Sequence, residues 1–208
     1  MDLARIGIFG GTFDPIHIGH LFIAEEAASV LNLAKVIFVP ASVPPHRSTS
    51  PLATPQQRYT MVQLAIADNA RFAVSVVELD RPGPSYTVDT LKLLKADFPD
   101  AGLFFLIGMD SLPELVHWRD PAEILHLAHI VAVARGGVGA GDFAALEAHL
   151  PEARGRVTIL DAPGLEISAS DIRHRVATGR SIRYFVPGPV ADFIAEQGLY
   201  GSGSNASE

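Results

Sequence analysis

Cysteine is absent from the 208 residues, which removes disulfides, thiolate metal sites and cysteine nucleophiles together. Long apolar runs are missing as well: no uninterrupted stretch approaches the ~18 residues that suggest a membrane span. The N-terminus carries no basic region leading into an apolar core, so no secretory signal is expected. Positive charge is in deficit, with 16 Lys and Arg against 23 Asp and Glu and a formal net charge of -7. Non-specific nucleic-acid binding draws on a broad positive surface, so neither nucleic acid nor a membrane is an expected partner. A small anionic ligand stays open, because a few cations can create a positive pocket in an acidic protein. The expected location is the cytoplasm; the oligomeric state is open, a homo-oligomer included.

What is present is globular: 48% hydrophobic and 19% charged residues, enough for a sizeable core in one domain over residues 1–200. Residues 201–208, "GSGSNASE", have no apolar face and read as a disordered tail. Six short apolar runs, "ARIGIF", "KVIFVP", "FAVSVVEL", "LFFLIG", "HIVAVA" and "RVTIL", read as strands. Helical spacing separates them, and Thr54-Pro55 resembles an N-cap followed by proline in the first turn. Strands apolar on both faces and separated by helices imply a parallel sheet covered on both sides. The expected fold class is α/β, a Rossmann-like doubly wound parallel sheet with two C-terminal helices, "SASDIRHRVATG" and "PGPVADFIAEQGLY". Ligands of such sheets bind beyond the carboxyl ends of the strands.

The segment in that position is "GIFGGTFDPIHIGH", from Gly7 to His20. Gly10 and Gly11 are expected to adopt conformations that a β-carbon forbids, letting a ligand approach the backbone of Gly10–Phe13 closely. A following helix offers unpaired amides at the positive end of its dipole, which suits phosphate. If that helix starts near Ile16 to Ile18, His17 and His20 share one face a turn apart, and Gly19 leaves space beside them. Zinc is the competing reading for two imidazoles. It lacks support: there is no glutamate between them, and nothing fixes the distance of a third ligand such as His46. No protein-held metal site is expected.

Four later segments carry chemistry of their own. "VPPHR" stiffens a loop with two prolines and presents His46 and Arg47, which suits phosphate capture or a solvated loop. In "PSYTVDTL", Ser85 or Thr87 can cap a helix whose amides and hydroxyls can also receive a carboxylate. "GMDSLPELVHW" follows the fourth strand and contains the single tryptophan, Trp118, whose face can stack on a flat cationic ring or fill a core. "ISASDIR" places Ile167, Ser168, Ser170 and Arg173 around a helix start, where the hydroxyls can cap it.

The opening motif resembles the T/HxGH signature of the nucleotidyltransferase superfamily. Together with the later segments, in that order and spacing, it resembles bacterial nicotinate-nucleotide adenylyltransferase over almost the whole chain. Two departures are Arg47 where lysine is common and Ser170 where threonine is frequent. The resemblance implies adenylyl transfer from ATP to nicotinate mononucleotide, with Mg²⁺ held mainly by the ATP phosphates. It implies that His17, His20 and Arg173 act on the reacting phosphates. Gly10, Gly11, Thr12, Phe13, His46, Arg47, Gly108, Asp110, Arg135, Ile167, Ser168 and Ser170 would bind ATP. The region of Ser85, Tyr86 and Thr87, with Trp118, would meet the nicotinate end. Pantetheine-phosphate adenylyltransferase shares only the first motif and does not explain Trp118 or "PSYTVDTL". A catalytically silent nucleotide-binding protein would keep the glycine loop without needing His17, His20 and Arg173.

Overall fold

A computed structural model describes residues 3–43, 52–81, 83–135 and 143–201. Six strands, β1 (Arg5–Gly11), β2 (Lys35–Pro40), β3 (Phe72–Val74), β4 (Gly102–Gly108), β5 (Ala128–Arg135) and β6 (Val157–Ala162), form one sheet. Every pairing is parallel, and the order is β3-β2-β1-β4-β5-β6. The chain winds outward from β1 to β3, then crosses back to β4 on the other side of β1. That reversal leaves a crevice at the carboxyl ends of β1 and β4.

Alternation along the strands explains why both faces are covered. Phe9, Val36, Phe38, Leu106, Val131, Val133 and Leu160 belong to one buried cluster. Their sequence neighbours Ile8, Ile37, Val39, Phe105, Ile107, Ile130 and Ala132 belong to the other. The first face is closed by α1 (Ile18–Val30), α2 (Pro55–Ile66), α6 (Ala169–Ala177) and α7 (Gly188–Glu196). The second is closed by α3 (Thr87–Asp97), α4 (Pro121–Leu127) and α5 (Phe143–His149). Ala24, Ala27 and Ala28 form a small-residue stripe on α1, which lets that helix lie close to the sheet.

Helix starts follow the expected chemistry at two places. Thr54 Oγ1 accepts from Gln57 N at 3.2 Å, and Gln57 Oε1 accepts from Thr54 N at 2.9 Å, a reciprocal box ahead of Pro55. Ser168 caps α6, its Oγ accepting from Asp171 N at 3.1 Å. The expected third strand is shorter than "FAVSVVEL": it ends at Val74, and Ser75 N makes the last bond to Phe38 O. Ser75 Oγ then accepts from Val77 N at 3.2 Å, turning the chain so that Glu78 folds back inside. No helix among the described residues is long and apolar enough to cross a membrane.

Candidate active site

At the carboxyl ends of β1 and β4 lies a cleft of about 320 Å³. Gly10, Gly11, Thr12, Ser85, Thr87, Gly108 and Trp118 line it, together with Glu78, Thr90, Phe105 and Ser111. The structure thus brings the glycine segment, the "PSYTVDTL" segment and the tryptophan to one opening, although they lie far apart in sequence.

Gly10 and Gly11 belong to β1 and neither has a positive φ, which corrects the expectation about their conformation. The positive φ falls on Phe13, at 50°. Space is what Gly11 supplies: a β-carbon there would stand 2.9 Å from the Phe13 ring. That ring is buried against Phe9 and Phe38 and meets the edge of His20 with centroids 5.1 Å apart, so Phe13 orients His20 instead of lining the cleft.

His17 is the N-cap of α1, and its imidazole stacks on that of His20 with centroids 3.6 Å apart. Helical spacing puts them on one face, as expected. His17 N–H donates to His20 Nδ1 at 3.2 Å. That nitrogen is therefore unprotonated, and Nε2 is the donor of a neutral His20 ring. A β-carbon on Gly19 would lie 3.1 Å from His17 Nδ1 and 3.9 Å from Ile167, so the glycine lets the α1 start, the His17 ring and the α6 approach come together.

From α6, Arg173 reaches across and donates from Nη1 to the Asp14 carbonyl at 2.7 Å. Its planar guanidinium has four further N–H groups, in a fork suited to phosphate oxygens. Ser168 and Ser170 are exposed and hydrogen-bonded to each other at 3.0 Å, while Ile167 is half-buried and packs against the core. Asp110 is exposed on a single 3₁₀ turn (Met109–Ser111) directly after β4. His17, His20 and Arg173, from the α1 start and from α6, are not among the residues that line the cleft; they follow on from the glycine segment that does.

In the cleft lining, the capping expectation for Ser85 and Thr87 is overturned. Tyr86 is the N-cap of α3 and makes no side-chain cap bond. Ser85 Oγ instead accepts from Ser42 N at 3.0 Å, tying the loop after β2 to the start of α3. Trp118 is half-buried and lines the cleft, with its ring edge-on to Phe105 at 6.2 Å. Arg119 lies over the Tyr86 ring at 4.7 Å and pairs with Asp89 at 3.5 Å, as Arg81 does. These pairs clamp the tryptophan loop to α3 at the surface.

Three buried groups behind the site escaped sequence reasoning. Glu78 lines the cleft, with Oε1 accepting from Thr90 Oγ1 at 2.6 Å. Burial raises its carboxyl above the usual value of 4.5, opposed by hydrogen bonds from Thr90 and Ser85 and by the charges of Arg81 and Arg58. Arg58, 0% exposed, donates to Thr12 O at 2.7 Å, Ser42 O at 3.2 Å and Ala53 O at 3.3 Å. Asp14 accepts from Leu52 N, Ala53 N and the Tyr200 hydroxyl. None of the three is marked by local pattern: each has partners at twelve or more positions' separation, Thr90 for Glu78, Thr12 and Ser42 for Arg58, and Leu52, Ala53 and Tyr200 for Asp14. The only available sign was a charged residue inside an apolar period, as at Arg58 on α2.

His46 and Arg47 lie outside the described residues, as do residues 202–208 of the expected tail. Arg135 ends β5, but its side chain is likewise outside the described set. Among the described residues, no three His, Asp or Glu side chains gather as a metal-binding group.

Comparison with known proteins places the fold and the family. The cytidylyltransferase-like family model matches residues 8–175. A Thermomicrobium roseum protein named "Probable nicotinate-nucleotide adenylyltransferase" is 48% identical, over 95% of this chain and 92% of that one. A Thermus thermophilus protein of the same name is 46% identical, over 94% and 99%. Among solved structures, Plasmodium falciparum nicotinic acid mononucleotide adenylyltransferase complexed with NaAD shares the fold. Its TM-score is 0.75 at 18% identity, over 95% of this chain and 97% of that one. Matched along nearly its whole length, the chain belongs to the cytidylyltransferase-like family and, within it, to the nicotinate-nucleotide adenylyltransferases.

Proposed function

We infer that the chain transfers the adenylyl group of ATP to nicotinate mononucleotide, giving nicotinic acid adenine dinucleotide and pyrophosphate in NAD biosynthesis. One observation carries the reading: a pocket bounded by Ser85, Thr87 and Trp118 opens directly onto the glycine strand end that leads to His17 and His20. A pyridine ring and a reacting phosphate need that adjacency.

In this reading, a phosphate oxygen of nicotinate mononucleotide attacks the α-phosphorus of ATP. The bond from that phosphorus to the oxygen bridging the β-phosphate breaks, and pyrophosphate leaves with the electron pair. The nucleophile is already an anion, so no serine or cysteine nucleophile is needed. The difficulty is bringing two anions together, and positioning with fixed positive charge and hydrogen-bond donors lowers that barrier. His20 Nε2–H, the α1 amides and the Arg173 fork are assigned to the phosphates. His46, Arg47 and Arg135 are assigned to them as supporting cations. Gly108, Asp110, Ile167, Ser168 and Ser170 are assigned to the rest of ATP. Trp118 stacks on the pyridine ring, and the amides and hydroxyls at Ser85–Thr87 receive its carboxylate.

Mg²⁺ would be held mainly by the ATP phosphates and would supply charge neutralisation there, beside the His20 and Arg173 donors of this chain. The catalytic unit is residues 1–200. Pyrophosphate release with ATP and Mg²⁺ tests the assignment, comparing nicotinate mononucleotide, nicotinamide mononucleotide and phosphopantetheine at matched concentrations. Strong preference for the first is expected. Turnover only with phosphopantetheine, or nucleotide binding with no pyrophosphate released, would overturn it.

A further inference from the structure

The far end of the described chain reaches the site. Tyr200 is 3% exposed, and its hydroxyl donates to Asp14 Oδ1 at 2.7 Å across 186 positions of sequence. Asp14 is equally buried, and both its oxygens are engaged: Oδ1 also accepts from Ala53 N at 3.1 Å, and Oδ2 accepts from Leu52 N at 2.9 Å. The Asp14 main-chain carbonyl is the acceptor that holds Arg173. Arg58 pins the carbonyl of Thr12, two residues earlier, and that of Ala53. Side chain and main chain of one residue thus join the C-terminal segment, the entry to α2, the glycine segment and α6.

A carboxylate removed from water is costly unless its lone pairs are satisfied, and here the donors within hydrogen-bond reach are two amides and a phenol. A purely apolar filling would hold the same elements together without that cost. The phenol is a dependable donor: burial, the Asp14 charge and the hydrogen bond to Asp14 all push its proton affinity up. The linkage ends on Arg173, whose place decides where a fork of donors meets phosphate.

We propose that Tyr200 is a positioning residue of the active site, acting through Asp14 to set Arg173 against the phosphates of the reacting nucleotide. The proposal rests on the adenylyl-transfer reading above and adds the C-terminal segment to its machinery. Tyr200→Phe removes the donor and keeps the ring. With Asp14 less constrained, kcat falls by about 10-fold, the scale of a sub-ångström displacement at a reacting centre. KM for nicotinate mononucleotide stays within about 3-fold, since Trp118 and α3 are untouched.

A double-mutant cycle separates this from a structural role. In an Arg173→Lys background, Tyr200→Phe should lower kcat by less than about 2-fold, because the group it positions is gone. Kinetics are run at a temperature where circular dichroism shows every variant folded. Should Tyr200→Phe not fold, Asp14→Asn reads the same coupling, since it keeps the volume and weakens acceptance from the phenol. Unchanged kcat in the folded single variant, or the same loss in both backgrounds, overturns the proposal alone. A wild-type chain that releases no pyrophosphate with any acceptor overturns the adenylyl-transfer reading and this proposal with it.

Discussion

Replacing Arg58 by methionine keeps an unbranched apolar stem in the core and deletes the guanidinium that holds three main-chain carbonyls. Thr12 O, Ser42 O and Ala53 O then lose a charged donor at a fully buried position. Ala53 O is buried, Thr12 O and Ser42 O half-buried; a buried acceptor left without its partner costs about 1–3 kcal/mol, so about 9 is the ceiling for the three. Removing the guanidinium also returns the cost of taking a cation out of water, several kcal/mol. The difference is a net loss of about 3–5 kcal/mol, the usual scale for deleting one side of a buried charged cluster. For a chain of this size, each kcal/mol moves the melting temperature by about 2–4 °C, so Tm should fall by about 6–20 °C. Urea unfolding followed by far-UV circular dichroism measures the loss directly. Because Thr12 lines the cleft and Ser42 N donates to the cleft residue Ser85, turnover should fall in the folded variant as well. A loss below about 1 kcal/mol with an unchanged m-value would refute the reasoning, since the three carbonyls would then have found other partners.

Glu78 sets a pH signature. Its folded carboxyl titrates above 4.5 because of burial, so between that value and the folded one the native state holds a proton that the unfolded chain has released. Stability therefore falls as pH rises through the window, and Glu78→Gln removes that fall. The stability of the variant relative to wild type should increase as pH rises above 4.5; a flat or declining difference would contradict the burial argument. Trp118→Ala should raise KM for nicotinate mononucleotide by roughly 5- to 150-fold, the range of an aromatic stacking contact, with KM for ATP nearly unchanged. Equal KM values for nicotinate mononucleotide in variant and wild type would remove Trp118 from the pyridine site.

The parts of this architecture written in local pattern are legible in the sequence. Both faces of the sheet are apolar, so the strand runs around Ile8, Phe38, Leu106 and Val131 announced themselves. So did the Thr54-Pro55 start of α2 and the placing of His17 and His20 on one face, because capping and helical spacing act over three or four residues. The third strand was read too long because "SVVEL" is apolar by composition, while Ser75 and the packing of Glu78 turn it inward. The sequence offers Ser85 or Thr87 as a cap; Ser85 instead bonds Ser42, a partner that no local window contains. The same holds for Arg58, for Glu78 with Thr90, and for Asp14 with Tyr200: their roles are long-range hydrogen bonds, set by topology and not by neighbours.

The central claim is that His20, at the start of α1, stabilises transfer of the α-phosphorus of ATP to nicotinate mononucleotide. ATP labelled at that phosphorus follows the claim most directly, with wild type and His20→Ala compared at equal folded concentration. The account predicts label in nicotinic acid adenine dinucleotide, none in pyrophosphate, and a rate at least about 100-fold lower in the variant. Label accumulating only in free AMP, or transfer by the variant at close to the wild-type rate, would contradict it.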